Sequence, residues 1–197
     1  MAQDMDQAQD AVELLMQDHR RVEELVEQFE QSEGDEKQRL AEQIALELRV
    51  HTRIEEEIFY PAVREALDDD DMVDEAIVEH DSVKQLLTQI EQDGPQHPLF
   101  QARVKVVGEL VDHHVEEEEE EMFPQAREAG VDLTDLAARM AARKQELMVE
   151  LKSRMAGGSP TAERRSFSGS DGDRAQDDDL GSSPASMGQA QGNRPGV

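Results

Sequence analysis

Two stretches of this chain each occur twice and in the same order, which limits the folds it can adopt. The segment HTRIEEEIFYPAVREA at residues 51–66 returns 63 residues later as HVEEEEEEMFPQAREA at residues 114–129. An earlier segment, DHRRVEELVEQFE at residues 18–30, returns as EHDSVKQLLTQIE at residues 79–91. Apolar residues recur three and four positions apart in these segments, which predicts amphipathic helices. The chain is therefore predicted to contain two copies of one helical hairpin.

The same apolar spacing continues between the repeats and predicts an all-α fold. Breaks fall at QSEGDE, at the aspartate run of residues 68–71, at DGPQHP and at Gly130. Four long amphipathic helices with short connections favour an antiparallel, up-down four-helix bundle. A shorter fifth helix, from about Leu133 to Met155, is predicted to be appended to it. We expect the folded domain to cover residues 8–155.

The composition changes near the end of the fifth helix. Residues 156–197 are rich in Gly, Ser, Pro and Asp and contain few residues suited to a core. Such a segment cannot bury enough apolar surface to offset the entropy lost on ordering. We therefore expect a disordered C-terminal tail and assign no chemistry to it.

Each hairpin carries a lone histidine on its first helix and an H-x-x-x-E motif on its second. The spacing of four places both side chains of a motif on one helix face, with Cβ atoms roughly 5–6 Å apart. These residues continue apolar stripes, so they should point into the core, where an imidazole or carboxylate without a partner is costly. Six of them from four helices need a common partner, and a metal centre provides one. The candidate metal ligands are His19, His51, Glu55, His80, His114 and Glu118.

Each of these residues has a simpler interpretation when it is taken alone. A single H-x-x-x-E on a helix is usually accidental, and a lone histidine on an apolar stripe is more often a hydrogen-bonded core residue. Glutamate runs such as residues 116–121 usually form a solvated helix face, and we expect this for all of them except Glu118. The metal centre is favoured because the whole set is duplicated in order and in phase.

His113 is a rival to His114, because with Glu117 it also forms an H-x-x-x-E motif. The repeat favours His114, since a proline follows ten residues after it and ten residues after His51. His97 lies in a Gly/Pro-containing loop and is predicted to be a surface residue.

The composition excludes several other classes of function. The chain has no cysteine, so disulfides, thiolate metal sites and a cysteine nucleophile are excluded. A formal net charge of −27 argues against nucleic-acid or anionic-membrane partners, both of which need a basic surface. No apolar run approaches the length of a membrane span, and the segment MAQDMDQAQD lacks the features of a signal peptide. We expect a cytoplasmic location.

Four imidazoles and two carboxylates without sulfur suit iron, manganese or zinc. Their symmetric supply suits a pair of ions, each with two histidines and with both glutamates bridging. Di-iron bundles of the ferritin kind use Glu-x-x-His instead. None of the six histidines has a glutamate three residues before it, which argues against that class.

The order H…HxxxE…H…HxxxE, with the phrases HTRIEEEIFYP and HVEEEEEEMFP, resembles the hemerythrin-like family of HHE cation-binding domains. The resemblance implies a non-haem di-iron centre of two iron ions, oxo- or hydroxo-bridged and held by the six candidate residues. The oxygen-carrying hemerythrins have a second histidine four residues away on the third helix, where this chain has Ala76 or Lys84. Their fourth-helix acid is an aspartate at the position of Glu119. The site of this chain is therefore expected to be more symmetric and one imidazole short.

The resemblance also implies a function at an open iron position. We expect binding of, or response to, dioxygen, nitric oxide or peroxide. Disproportionation of hydrogen peroxide by a di-iron enzyme is the alternative, and iron buffering is a third option that a single two-metal site serves poorly. Tyr60 is the only tyrosine of the chain, and no further acid or base is evident inside the bundle, which favours binding over catalysis.

Overall fold

The computed structural model of this chain describes residues 10–67 and 70–157. All regular elements in these residues are helical, which confirms the predicted all-α fold class. The expected tail falls on residues 156–197, of which the first two end the last helix and the rest lie outside the described residues. The domain limits of 8–155 stay a prediction. Within the described ranges, no helix is both long enough and apolar enough to cross a lipid bilayer.

Four long helical segments and a fifth helix follow one another in the predicted order. The second and fourth segments each change pitch for one π-helical turn. The elements are α1 (Ala11–Gln31), α2 (Asp35–Ile54), π1 (Glu55–Phe59), α3 (Tyr60–Leu67), α4 (Asp71–Asp93), α5 (Phe100–Glu117), π2 (Glu118–Met122), α6 (Phe123–Glu128) and α7 (Leu133–Gly157).

Local sequence signals explain where helices begin and end. At the start of α1, Asp10 and Glu13 form a capping box, in which each side chain accepts a hydrogen bond from the backbone N–H of the other. At the ends of α4 and α6, Gly94 and Gly130 have φ of +69° and +76°, values that glycine adopts without steric cost. These caps and turns separate the helices at the breaks that the sequence predicts.

The two π-helical turns begin at Glu55 and Glu118, which are equivalent positions of the repeat. Each turn is followed closely by a proline, Pro61 or Pro124. In a regular α-helix, a proline ring clashes with the carbonyl group four residues earlier, and here that residue lies within the wider π-helical turn. The duplicated prolines and the duplicated turns therefore accompany each other, directly beside the candidate ligands.

Two apolar clusters fill the bundle, one toward each end. One cluster includes Leu15, Ile54 and Phe59, and the other includes Leu25 and Leu87. Along each of the four long segments, the candidate histidine lies between residues of the first cluster and residues of the second. The polar candidates therefore form a layer enclosed by hydrocarbon on both sides.

Helix α7 packs mainly against the first hairpin, contacting α1, α2 and π1. Its buried residues Met140 and Leu147 join the apolar cluster at that end. Its polar side chains add ion pairs to the same hairpin: Arg143 Nε donates to Oε2 of Glu57 at 2.6 Å, and Lys144 pairs with Asp18. The appended fifth helix is thus a cover for one hairpin.

We predict that Leu147→Ala lowers the free energy of unfolding by about 2–5 kcal/mol, because it leaves a cavity where a buried side chain packs. Leu147 is fully buried, whereas Val149 on the same helix is 69% exposed. Urea denaturation followed by circular dichroism measures both variants, with Val149→Ala as the control expected within about 0.5 kcal/mol of wild type. Equal destabilisation by the two substitutions would contradict the packing role of α7.

Candidate metal centre

All six candidate residues lie in one buried layer, and none exposes more than 5% of its surface. They come from four different segments of the bundle, so the layer exists only in the folded chain. The residues so placed are His19, His51, Glu55, His80, His114 and Glu118.

The layer contains two adjoining groups of donor atoms. In the first, atoms of His19, His51, Glu55 and Glu118 all lie within 4.8 Å of one another. In the second, atoms of Glu55, His80 and His114 meet the same limit. In both groups the donor atoms are close enough together to coordinate a single metal ion.

The two glutamates connect the groups. Oε2 of Glu55 lies 3.1 Å from Nε2 of His51 and 3.4 Å from Nε2 of His80. Oε2 of Glu118 lies 3.3 Å from Nε2 of His19 and 3.5 Å from Nε2 of His114. Each carboxylate therefore contacts one imidazole from each hairpin and lies between the two groups of donor atoms.

Several donor atoms in the layer lack a hydrogen-bond partner. Both carboxylate oxygens of Glu55 are buried without one, as are Oε2 of Glu118 and Nε2 of His19. In addition, the Nε2 atoms of His80 and His114 face each other at 3.1 Å. Buried polar atoms without partners are costly and rare, so this set calls for a further group. Imidazole nitrogen and carboxylate oxygen suit iron, manganese or zinc, and the residues present therefore fit a metal.

The surroundings shift the pKa values of the carboxyl groups of Glu55 and Glu118 in opposite directions. Burial raises the pKa of Glu55 well above its usual range, and the nearby Glu118 raises it further. Burial also opposes ionisation of Glu118, but the charges of His114 and His19 outweigh it and lower the pKa of Glu118. Burial lowers the pKa of His51 to about 4. A metal held by these residues would favour the ionised carboxylate and the neutral imidazole, so Glu55 would be the group that gives up a proton.

An outer carboxylate faces the second ring nitrogen of every histidine in the layer. Such a partner fixes the orientation and the tautomer of a metal-binding imidazole, which leaves Nε2 directed at the centre. Three of the pairs lie at hydrogen-bond distance, and the fourth is a longer ion-pair contact. Measured from Nδ1 to carboxylate oxygen, they are His19–Glu119 at 2.9 Å, His80–Glu56 at 2.9 Å, His114–Glu79 at 2.7 Å and His51–Asp18 at 3.8 Å.

The outer carboxylates were not among the candidates from the sequence, and for Glu119 the expectation was wrong. Its side chain is only 21% exposed and lies between His19 and Arg20, rather than on a solvated face. Each outer carboxylate is adjacent in sequence to a candidate ligand but contacts an imidazole on another helix, so sequence adjacency does not identify its partner. The repeat is the available signal, because acids recur at equivalent positions of both hairpins.

Tyr60 lies inside the second group of donor atoms. Its hydroxyl donates to Oε1 of Glu118 at 2.9 Å and lies 3.3 Å and 3.4 Å from Nε2 of His80 and His114. Burial raises the pKa of Tyr60 well above its usual range, and Glu118 adds to the effect, so the phenol stays protonated. The equivalent residue of the second hairpin is Phe123, whose ring stacks on His19. The second hairpin therefore has no hydroxyl group at the position equivalent to Tyr60.

The two histidines set aside from the sequence lie away from this layer. The side chain of His113 is 60% exposed, with Nε2 3.4 Å from Glu117. His97 lies beyond α4, where its Nδ1 accepts a hydrogen bond from the backbone of Leu99 at 3.1 Å.

Comparisons with known proteins show the family and the fold. A family model described as the hemerythrin HHE cation binding domain matches residues 10–126. The crystal structure of a hemerythrin HHE cation-binding domain-containing protein from Mycobacterium kansasii superposes with a TM-score of 0.64 at 25% identity, covering 75% of this chain and 92% of that one. A protein of Nostoc sp. (strain PCC 7120) described as a DNA nickase is 34% identical over 116 residues. That match covers 58% of this chain but 33% of the relative, so the chain spans about a third of its length.

We predict that Glu55→Met stabilises the metal-free protein by about 1–3 kcal/mol, because it removes a buried carboxyl group without hydrogen-bond partners. Denaturation in the presence of a chelator measures the effect. Glu24→Met, at a side chain that is 63% exposed, is the control and should change stability by less than about 0.5 kcal/mol. A Glu55→Met protein less stable than wild type under chelation would show that the carboxyl group has a partner within the fold.

Proposed function

Since this chain belongs to the hemerythrin HHE cation-binding domain family, we propose that its buried polar layer holds a non-haem di-iron centre. The proposed ligands are the six residues of the layer, with His19 and His51 on one ion and His80 and His114 on the other. One observation carries the proposal: each glutamate contacts an imidazole of both hairpins and retains buried oxygen atoms without hydrogen-bond partners. Bound iron would supply a coordination position for dioxygen, nitric oxide or peroxide.

The chain itself prepares the layer for such an ion pair. The apolar clusters on both sides limit the access of water, and low polarity strengthens the attraction between carboxylates and cations. The outer carboxylates hold each imidazole with Nε2 turned inward. The hydroxyl of Tyr60 holds Glu118 through its Oε1 atom, which leaves Oε2 directed toward His19 and His114.

The function proposed first is the binding of dioxygen, nitric oxide or peroxide, or a response to one of them. A buried centre with two nearly equivalent imidazole pairs supports the binding of a small ligand, because larger substrates cannot enter the layer. We also propose a cytoplasmic protein without nucleic-acid or membrane partners. A net charge of −27 supports this, while the DNA nickase name belongs to a relative of which the chain spans about a third.

Peroxide disproportionation is the second candidate, and the position of Tyr60 favours it. A protonated phenol within 3.4 Å of two candidate ligands can hold or donate a proton at Oη beside a bound ligand. The other half of the layer has Phe123 in this place and lacks that proton donor.

For the di-iron centre we predict about two iron ions per chain in protein expressed with iron, and about half as much or less in His51→Ala, which removes one imidazole. His97→Ala is the matched control and should keep the wild-type content, because that residue lies away from the layer. Metal analysis gives the counts, and absorption spectra should change when dioxygen or nitric oxide is added. Wild-type protein that contains no metal, or zinc alone, would defeat the proposal.

For the second candidate we predict that Tyr60→Phe lowers oxygen evolution from hydrogen peroxide about 100-fold, the lower range for loss of a proton donor. Iron content should stay close to the wild-type value, because the substitution removes one hydrogen bond to Glu118 but keeps the six proposed ligands. Rates of oxygen evolution that are equal in the two proteins would exclude a role of the phenol and leave ligand binding as the function.

A further inference from the structure

The duplication allows the two hairpins to be compared position by position, and one outer face differs between them. In the first hairpin this face is apolar and lies beneath α7. In the second hairpin the equivalent positions are polar and exposed or half-buried. The equivalent pairs are Leu14 and Glu75, Val50 and His113, Ile54 and Glu117, and Ile58 and Glu121.

A cavity of about 210 Å³ opens on this uncovered face of the second hairpin. Among its lining residues, His114 and Glu118 are buried members of the polar layer, while Glu75 and Glu121 are exposed. The cavity therefore extends from solvent to two of the proposed ligands. Among the residues that the structure describes, neither lysine nor arginine lines it, and the remaining lining residues are Asp71, Met72, Ala76, Glu117 and Met122.

The same position in the first hairpin is filled. Ala76 corresponds to Leu15, and Met122 corresponds to Phe59; both larger residues are fully buried in the apolar cluster. A leucine and a phenylalanine in place of an alanine and a methionine occupy more of the space between the two helices. The cavity thus results from small or flexible side chains together with the absence of α7 from this face.

A set of three side chains that could hold a metal ion lies beside the cavity. Donor atoms of Glu79, His113 and Glu117 lie within 4.8 Å of one another. Nε2 of His113 is 3.4 Å from Glu117 and 3.7 Å from Oε1 of Glu79. The other oxygen of Glu79 lies 2.7 Å from Nδ1 of His114. One carboxylate therefore contacts both the exposed imidazole and a proposed ligand of the centre.

The inner end of the cavity offers a binding partner for a cation. Oε2 of Glu118, a residue that is 1% exposed, is buried without a hydrogen-bond partner, and Glu118 lines this cavity. We propose that Glu79, His113 and Glu117 form a docking site for the divalent cation that loads the centre, and that the cavity carries it to His114 and Glu118. This inference rests on the proposed di-iron function and adds the route by which metal arrives.

A second groove, of about 350 Å³ between α1 and α5, borders the layer at His19 but suits a cation less well. His19 is the single proposed ligand among its lining residues, and its Nδ1 atom is already paired with Glu119. Arg20 lines the groove and places a positive charge beside that pair. Acidic residues also line this groove, but Arg20 offsets part of their charge next to His19, whereas the charged side chains among the described lining of the second-hairpin cavity are all acidic.

The rate at which the metal-free full chain takes up Co²⁺ tests the route. The visible absorption of Co²⁺ changes when imidazole and carboxylate replace water, which gives a stopped-flow signal. We expect His113→Ala/Glu117→Gln to take up Co²⁺ about 10-fold more slowly, because the docking charge and ligands are lost, with an unchanged final content. The control His97→Ala/Glu27→Gln removes one imidazole and one negative charge elsewhere and should stay within about twofold of wild type.

Ala76→Leu provides a second test without a change of charge, because it introduces the residue that fills the equivalent position of the first hairpin. We expect slower uptake in this variant as well. Wild-type rates in both Ala76→Leu and the double variant would overturn the route. A wild-type chain that never binds more than one Co²⁺ ion would contradict the dinuclear centre itself. The final Co²⁺ content therefore tests the centre, and the uptake rate tests the route.

Discussion

The burial of two carboxyl groups and four imidazoles in one layer of an aliphatic bundle is the constraint around which this structure is arranged. Each carboxyl group would be more favourably placed in water, and the repulsion between Glu55 and Glu118 adds to the cost of enclosing them. The apolar clusters at the two ends of the bundle stabilise the fold around this layer. A cation that binds the layer removes much of the cost, and binding and folding are therefore linked.

The outer carboxylates explain why so many glutamates surround the centre. Glu56 and Glu119 lie one residue after Glu55 and Glu118, and each reaches across to a histidine of the other hairpin. The acids that precede His19 and His80 instead reach the histidine on the second helix of their own hairpin. Every imidazole thus lies between an inner and an outer carboxylate, and the two hairpins exchange these contacts reciprocally. Part of the glutamate run is therefore required to orient the histidines, while other members of the run are exposed to solvent.

The helical fold and the clustering of the six candidate ligands in one layer could be predicted, because both follow from the periodic spacing of residues along the helices. Spacing of three and four places a residue on a helix face, and the duplication shows that the faces match. Contacts between helices depend on axial register and rotation, which a periodic pattern leaves open. For this reason the partner of Glu119 could not be read from the sequence, and neither could the hydroxyl of Tyr60 beside His80. Pro61 and Pro124 were visible in the sequence and accompany the π-helical turns. A pattern of regular helical spacing does not predict such turns.

Duplication by itself produces two equivalent halves, so the differences between the halves indicate where the sequence has departed from symmetry. Two departures coincide. Tyr60 places its hydroxyl against His80 and His114, and the open cavity of the second hairpin also reaches His114. At the equivalent places of the other half, Phe123 stacks on His19 and α7 covers the hairpin. The hydroxyl of Tyr60 could therefore supply a proton to a ligand that enters through this cavity. The coincidence of the two supports the proposal that a small ligand would bind at the His80–His114 half, while the His19–His51 half lies beneath α7 and next to Phe123.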